Sequence, residues 1–351
     1  MTDPRPESLE TVGRVLAAQT AIDSHSHLGL WETRGLPDSD DPLKHYIGDA
    51  RIVAIVQEMI DAGCRAAWIN LTSDIPILQL GAPGNKSRDF APGEAWAEYE
   101  RLQDALSALL GQMNAEIART EADIDRLHEA GKLALLLSNE GAHMVEDDLG
   151  RLADLHRAGM TKFQPIHYAY CRVGDAQTDP PRHHGLSDFG REAIAEARRL
   201  GMVIDSAHAS LETTRDMAEV TGGPIMLSHA LMQFGAEAAA NARWITEDYA
   251  RLIAQTGGMI GTWCPTHPIG ARDAGHFTAA VMAMIEVAGI DHVGWSTDHI
   301  EAGMGPWFRD YRDYRTLLAH LLEAGLDEAD LAKFVGGNAL RLLNEAAAAA
   351  R

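Results

Sequence analysis

Cysteine is scarce in this 351-residue chain. Cys64, Cys171 and Cys264 are odd in number and far apart, and none lies in a CxxC spacing, which excludes a disulfide framework and a thiolate zinc site. A reducing compartment suits such thiols, and the protein is expected to be cytoplasmic. No apolar run approaches the roughly 18 residues that cross a bilayer, and Met1 to Thr20 is polar and charged, without the apolar centre of a secretory leader. Basic residues are also few: 30 Lys and Arg against 51 Asp and Glu leave a formal charge of −21. That field repels phosphate backbones and anionic membrane surfaces, so neither nucleic acid nor membrane is an expected partner. No internal repeat, low-complexity tract or linker stands out, apart from Ala346 to Ala350, read as a fraying helix end.

What is present is ordinary globular material. Apolar residues make up 46% of the chain and charged residues 23%, ample for a sizeable core. Short apolar or β-branched runs alternate with amphipathic helical stretches, the pattern of a parallel sheet. Eight runs qualify: Ala21 to Asp23, Ala66 to Leu71, Leu133 to Leu137, Thr161 to Ile166, Val203 to Asp205, Pro224 to Leu227, Met259 to Thr262 and His292 to Trp295. Eight is the strand count of the α/β (β/α)8 TIM barrel, a fold that routinely runs this long as one unit, so one domain over 1–351 is expected. Ser210 and Asp327 precede helical stretches as caps. Between the second and third runs lies a long helical segment, where Trp96, Tyr99, Leu102, Leu106, Leu109 and Met113 recur at steps of three or four, a packing stripe. Two long irregular segments, Leu71 to Pro92 and Tyr168 to Leu186, follow the second and fourth runs and are expected to wall a substrate site on the C-terminal face of the barrel.

The strongest local signal is Asp23-Ser24-His25-Ser26-His27, directly after the first run. In an extended segment the side-chain period is two, so His25 and His27 point to one side and can share a cation; polar lining or a buried hydrogen-bonded pair are the other readings. Other candidates fall at further strand ends: Glu140 at the third, His167 at the fourth, His208 at the fifth, His229 at the sixth and Asp298 at the eighth. Barrels of this kind place their active sites there. Imidazoles and a carboxylate that can bridge two ions suit zinc and similar first-row metals, with open positions left for water. The chemistry implied is hydrolysis of a carbonyl compound. His143 is expected to orient Glu140, His299 to reach the pocket, and His183-His184 to lie in a solvated loop; one of Trp263, Trp295 and Trp307 can line the pocket.

The chain resembles the membrane (renal) dipeptidases of the amidohydrolase superfamily from about Ile22 to Leu343. The matching stretches include Asn139-Glu140-Gly141-Ala142-His143, Gly185-Leu186-Ser187-Asp188-Phe189-Gly190, Ile204-Asp205-Ser206-Ala207-His208-Ala209-Ser210, Leu227-Ser228-His229, Asn241-Ala242-Arg243, Ser296-Thr297-Asp298 and Gly336-Gly337-Asn338. The resemblance implies a dipeptidase with about two Zn2+ per chain, whose bridging hydroxide attacks the scissile carbonyl of a small dipeptide. It implies His25 as a ligand of the first metal, Glu140 as the bridging carboxylate, and His208 with His229 as ligands of the second. It implies that His167 contacts the substrate and steadies the oxyanion, that Arg243 holds the substrate carboxylate, and that Asp298 moves the proton and meets the substrate amine. Members of the family often pair, so a homodimer is a possible assembly.

One departure stands out. The family's first-strand motif is His-x-Asp, whereas here His27 occupies the second place, which removes one negative charge from the metal site. A second is the absence of the leader and lipid-anchor tail of the animal enzymes. Two further readings follow: an amidohydrolase acting on another small amide, an N-acyl amino acid or a lactone, and a catalytically inactive metal-binding homologue.

Overall fold

Short apolar runs become strands here because the parallel sheets are buried on both faces, under helices on one and against other strands on the other, which favours continuous apolar sequence over alternation. The computed structural model describes residues 3–37, 39–232, 242–264, 270–301, 304–305 and 307–350. Its strands are β1 (Ile22–Ser26), β2 (Ala66–Thr72), β3 (Ala115–Ala118), β4 (Leu133–Glu140), β5 (Met160–Phe163), β6 (Val203–Ile204), β7 (Met226–Ala230), β8 (Met259–Thr262) and β9 (Val293–Gly294). All are wholly buried except β3. They form two parallel sheets, one in the order β1-β2-β4-β5-β6 with β3 beside β4, the other β7-β8-β9. Backbone hydrogen bonds join the sheets at both edges: Ser206 N to Met226 O at 2.8 Å, and Ser24 N to Trp295 O at 3.2 Å. The result is an α/β fold whose parallel strands curl into a half-barrel with a second arc facing it.

All eight predicted runs carry a strand. The segment expected to be helical between the second and third runs holds a strand as well: helix Glu94–Leu110 is followed by β3 and then helix Glu121–Glu129. Four residues between two strongly periodic helices give too short a window for a period of two to register. The packing stripe is as expected, with Tyr99, Leu102, Leu106 and Leu109 buried along one helix face. Ser210 and Asp327 cap helices Leu211–Thr221 and Glu328–Ala332, each side chain accepting a backbone N–H three residues on.

Along β4 the side chains divide with the strand period. Leu133, Leu135 and Leu137 face the large cluster under the helices, while Ala134 and Leu136 join Ile22, Trp68, Met226 and Met259 in a second cluster, with Leu342 and Ala346 of helix Asn338–Ala348. The N-terminal ends of the strands are therefore packed with apolar side chains, and polar groups gather at the other end. No helix among the described residues is long and apolar enough to cross a membrane, and the three cysteines are buried free thiols.

The turn before that last helix approaches β1 so closely that a Cβ on Gly336 would lie 1.9 Å from Thr20 O and 2.8 Å from Ile22 N. Backbone on both sides leaves no room to yield. Gly336→Ala is expected to destabilise the protein by roughly 1–3 kcal/mol or more, lowering the melting temperature by several degrees. Gly13→Ala in helix Pro6–Ala18, where a Cβ meets nothing within 4 Å, should leave it unchanged or raise it. Calorimetry on both variants checks the pair; equal melting temperatures would refute the close-packing argument.

Candidate metal centre

Three strand pairings slip register: β1 with β2 between Asp23 and Ser26, β4 with β5 between Leu137 and Ser138, and β7 with β8 between Leu227 and Ala230. Each slip adjoins a candidate ligand, and such irregularities re-aim side chains at strand ends. Asp23 turns its carboxylate to Thr297 and Tyr311, whereas His25 and His27 turn their imidazole rings to Glu140. His208 and Asp298 adopt left-handed backbone, φ 66° and 51°, conformations unusual for residues with a side chain and often met at functional sites.

The expected residues converge on the Glu140 carboxylate. Its Oε1 lies 3.2 Å from His208 Nε2, 3.5 Å from His25 Nε2 and 3.8 Å from His229 Nε2; its Oε2 lies 3.2 Å from His27 Nε2 and 3.7 Å from His167 Nε2. His25 and His27 face each other at 3.3 Å, and His208 and His229 at 3.0 Å. Asp298 Oδ1 stands 3.1 Å from His27 and 3.5 Å from His25. Side-chain groups with metal-ligand spacing are His25-His27-Glu140, Glu140-His167-His208 and His25-His229-Asp298.

Burial, followed by neighbouring cationic groups, holds His25 and His208 well below the ordinary imidazole range and His229 down at about 4. Their Nε2 nitrogens turn toward the centre, those of His208 and His229 meeting each other and that of His25 meeting His27. Burial alone would raise Glu140, but the surrounding histidines, His167 and His25 first, hold it well below the usual carboxylate range. Imidazole nitrogens and carboxylate oxygens converging on one buried point form an environment that a divalent cation completes. The donor set of imidazole nitrogens and carboxylate oxygens fits zinc and its neighbours.

A supporting shell that the sequence did not single out orients these groups. Ser228 Oγ lies 3.1 Å from Nδ1 of both His25 and His229. Gln164 Nε2 donates to Glu140 Oε1 at 3.0 Å and Thr72 Oγ1 to Oε2 at 3.3 Å. Asp74 Oδ1 holds His167 Nδ1 at 2.7 Å, and although burial lowers His167, Asp74 and Glu140 together raise it above its ordinary value. Glu32, fully buried, hydrogen-bonds His27 Nδ1. Burial raises Glu32 and would lower His27, yet Glu32, Asp298 and Glu140 hold His27 well above its ordinary value. Short polar residues next to a strand have no periodicity of their own, and only their distance to a ligand betrays them.

Arg243 is buried, its guanidinium 5.4 Å from the Trp263 ring and 6.0 Å from Tyr168, with Gln177 as a hydrogen-bond partner. Asn241, from the same motif, lies outside the described residues. Trp263 Nε1 donates to Asp298 Oδ2 at 2.6 Å and lines the pocket, while Trp295 is in the core and Trp307 packs on Phe277. His143 does not orient Glu140; its ring nitrogens meet Ser73 Oγ and the Tyr170 carbonyl, because the turn at Gly141 carries it to the far side. His299 does not reach the pocket but is fully buried against Tyr311. His183 is held by the Tyr170 hydroxyl at 3.1 Å. Both long loops wall the pocket, Ile75, Leu78 and Leu80 from the first and Tyr168 from the second.

A family model described as membrane dipeptidase (peptidase family M19) matches residues 9–351. The chain is 27% identical to Dipeptidase aclJ of Aspergillus oryzae over 277 residues, 74% of this chain and 65% of that protein. It thus spans slightly less than two thirds of that curated relative's length. Among solved structures it is similar to the probable dipeptidase PvdM from Pseudomonas aeruginosa, with TM-score 0.77 and 20% identity over 99% of this chain and 100% of that one. It is also similar to a metallo peptidase from Rhodobacter sphaeroides liganded with a phosphinate mimic of the dipeptide L-Ala-D-Ala, with TM-score 0.74 and 18% identity over 93% and 99%.

The convergence on Glu140 makes a direct prediction. Protein purified without chelator is expected to carry about two divalent ions per chain by elemental analysis, falling to less than about one in Glu140→Gln, because the amide cannot bridge two cations. Equal metal content in the two proteins would remove Glu140 from the centre.

Proposed function

The chain belongs to the membrane dipeptidase family, and from that premise we propose that it is a zinc-dependent dipeptidase that cleaves the peptide bond of small dipeptides. The observation that carries the reading is the single carboxylate of Glu140 ringed by four imidazole nitrogens, beside a buried arginine. His25 and His27 would hold one zinc ion, His208 and His229 a second, and Glu140 would bridge them. Bound there, the metal pair would supply Lewis acidity for the scissile carbonyl and lower the pKa of the attacking water.

The protein's own groups do the rest. Arg243 offers a planar guanidinium to the substrate carboxylate, held against Trp263 and Tyr168. His167, its Nδ1 fixed by Asp74, presents Nε2 toward the carboxylate centre, where it steadies the negative charge that develops on the carbonyl oxygen. Asp298, oriented by the Trp263 N–H, accepts the proton of the attacking water and returns it to the departing amine, and it meets the free α-amine of the substrate. Leu30, Leu43, Ile75, Leu78, Leu80 and Ile300 line the remaining wall, and Leu80 is one of the two large apolar residues that stand exposed among those described. Such a wall favours apolar side chains.

His27 in place of the family's carboxylate supports a second reading, an amidohydrolase taking an N-acyl amino acid, another small amide or a lactone. A panel of dipeptides with apolar side chains and their N-acetylated forms separates the two: the dipeptidase reading expects cleavage of the free amines and loss of activity on acetylation, and the reverse order favours the second. Asp298→Asn is expected to lower kcat by roughly 10²- to 10⁴-fold, while Arg243→Met should act mainly on KM. An Arg243→Met variant whose KM for dipeptides is unchanged would refute its role as the carboxylate anchor.

A further inference from the structure

His27 poses a problem of charge. Where the family's motif carries a carboxylate, this chain offers an imidazole, which as a neutral ligand leaves the first metal position with one negative charge fewer. The structure contains a carboxylate in the right place to offset this. Glu32 sits on a short 3-10 turn, Trp31–Thr33, five residues beyond His27, and its side chain is fully buried. Oε1 is hydrogen-bonded to His27 Nδ1 and accepts from Thr72 Oγ1 at 3.1 Å; Oε2 has no hydrogen-bond partner. Arg101 meets the backbone of Glu32 and is otherwise engaged, donating to the Glu32 carbonyl at 2.6 Å, to the Arg34 carbonyl and to the Glu98 carboxylate. A buried carboxylate with no basic side chain on it is costly unless positive charge lies close by. Here the ion pair it makes among the described residues is with the ring whose other nitrogen, Nε2, stands 3.2 Å from Glu140 and 3.1 Å from Asp298.

We propose that Glu32 is a positioning residue which, through His27, returns to the first metal position the negative charge that the histidine removes. By accepting the Nδ1 hydrogen it leaves the Nε2 lone pair facing the centre, so that Glu32 and His27 act together as one anionic ligand with the imidazole as spacer. Carboxylates behind metal-bound histidines fix the tautomer and raise the basicity of the ring. Thr72 ties this second carboxylate to the first, since its hydroxyl lies within 3.1 Å of Glu32 Oε1 and 3.3 Å of Glu140 Oε2. The inference rests on the metal-hydrolase reading above.

A double-mutant cycle tests it with Zn2+ as the probe: wild type, Glu32→Gln, His27→Asp and the double variant, each stripped of metal and titrated calorimetrically. Glu32→Gln is expected to weaken the weaker of two zinc sites about 10- to 100-fold and leave the tighter one within a few-fold of wild type. Adding His27→Asp to that variant puts a carboxylate directly on the metal and should recover most of the loss, whereas a residue that merely supports the fold would not be rescued by a change in its neighbour. Melting of the metal-free proteins reports folding separately. If Glu32→Gln fails to fold, Thr72→Val, which removes the hydroxyl clamp and keeps the volume, is expected to weaken the same site. Two wild-type-like zinc sites in Glu32→Gln, a double variant no better than the single, or, in that fallback, an unaltered site in Thr72→Val would overturn the proposal. Wild type that binds no zinc would instead overturn the metal-hydrolase reading itself.

Discussion

Keeping the Glu140 carboxylate ionised inside the protein is the constraint to which the upper half of the molecule answers. Taking such a group out of water costs several kcal/mol after relaxation, and among the described residues its ion pairs are with histidines. The compensation comes from five imidazoles delivered by four strand ends, with Gln164 and Thr72 donating to its two oxygens. Because each imidazole reports on one element, the position of this one side chain couples β1, β4, β5, β7 and the loop after β6. The cluster thus clasps the C-terminal ends of these strands together.

Below it lies a second polar layer that holds the clasp in register. Lys162, fully buried, places its ammonium 2.8 Å from Asp205 Oδ2 and donates to the Ser24 carbonyl at 3.0 Å. The other oxygen of Asp205 accepts from Ala207 N and Ser228 N, both at 3.0 Å, at the bases of the segments that carry His208 and His229. Asp23 does the same on the opposite side, accepting from His25 N and from Thr297 N and its hydroxyl, next to Asp298. Burial pushes Asp23 up to about 6 despite these donors. Side chains that end hydrogen-bond ladders at the strand tips allow the backbone to turn sharply, and that is where His208 and Asp298 take up left-handed conformations.

The walls above the centre come from chain that has no regular structure. Gly84 in the first long loop accepts the N–H of Tyr170 in the second at 2.9 Å, so the loops brace each other instead of folding separately. The pocket is lined by aliphatic side chains together with Tyr168, Trp263 and Arg243.

Much of this was legible in the chain itself. The eight apolar runs, the caps at Ser210 and Asp327, and the strand-end placement of His25, His27, Glu140, His167, His208, His229 and Asp298 follow from local periodicity and from the rule that barrel sites gather at the C-terminal ends of strands. β3 was hidden because four residues between two helices carry too little pattern. Glu32, Asp74, Gln164 and Ser228 were hidden for a different reason: a partner is defined by distance between atoms, and sequence separation says nothing of it when 93 residues divide His167 from Asp74. The same holds for His143, which sits three residues from Glu140 yet faces another way. Local sequence determined which residues end strands, since periodicity and capping act within a few residues. Which of them face one another, and that Glu32 stands behind His27, was decided only when slipped registers and closing sheets brought distant side chains into contact.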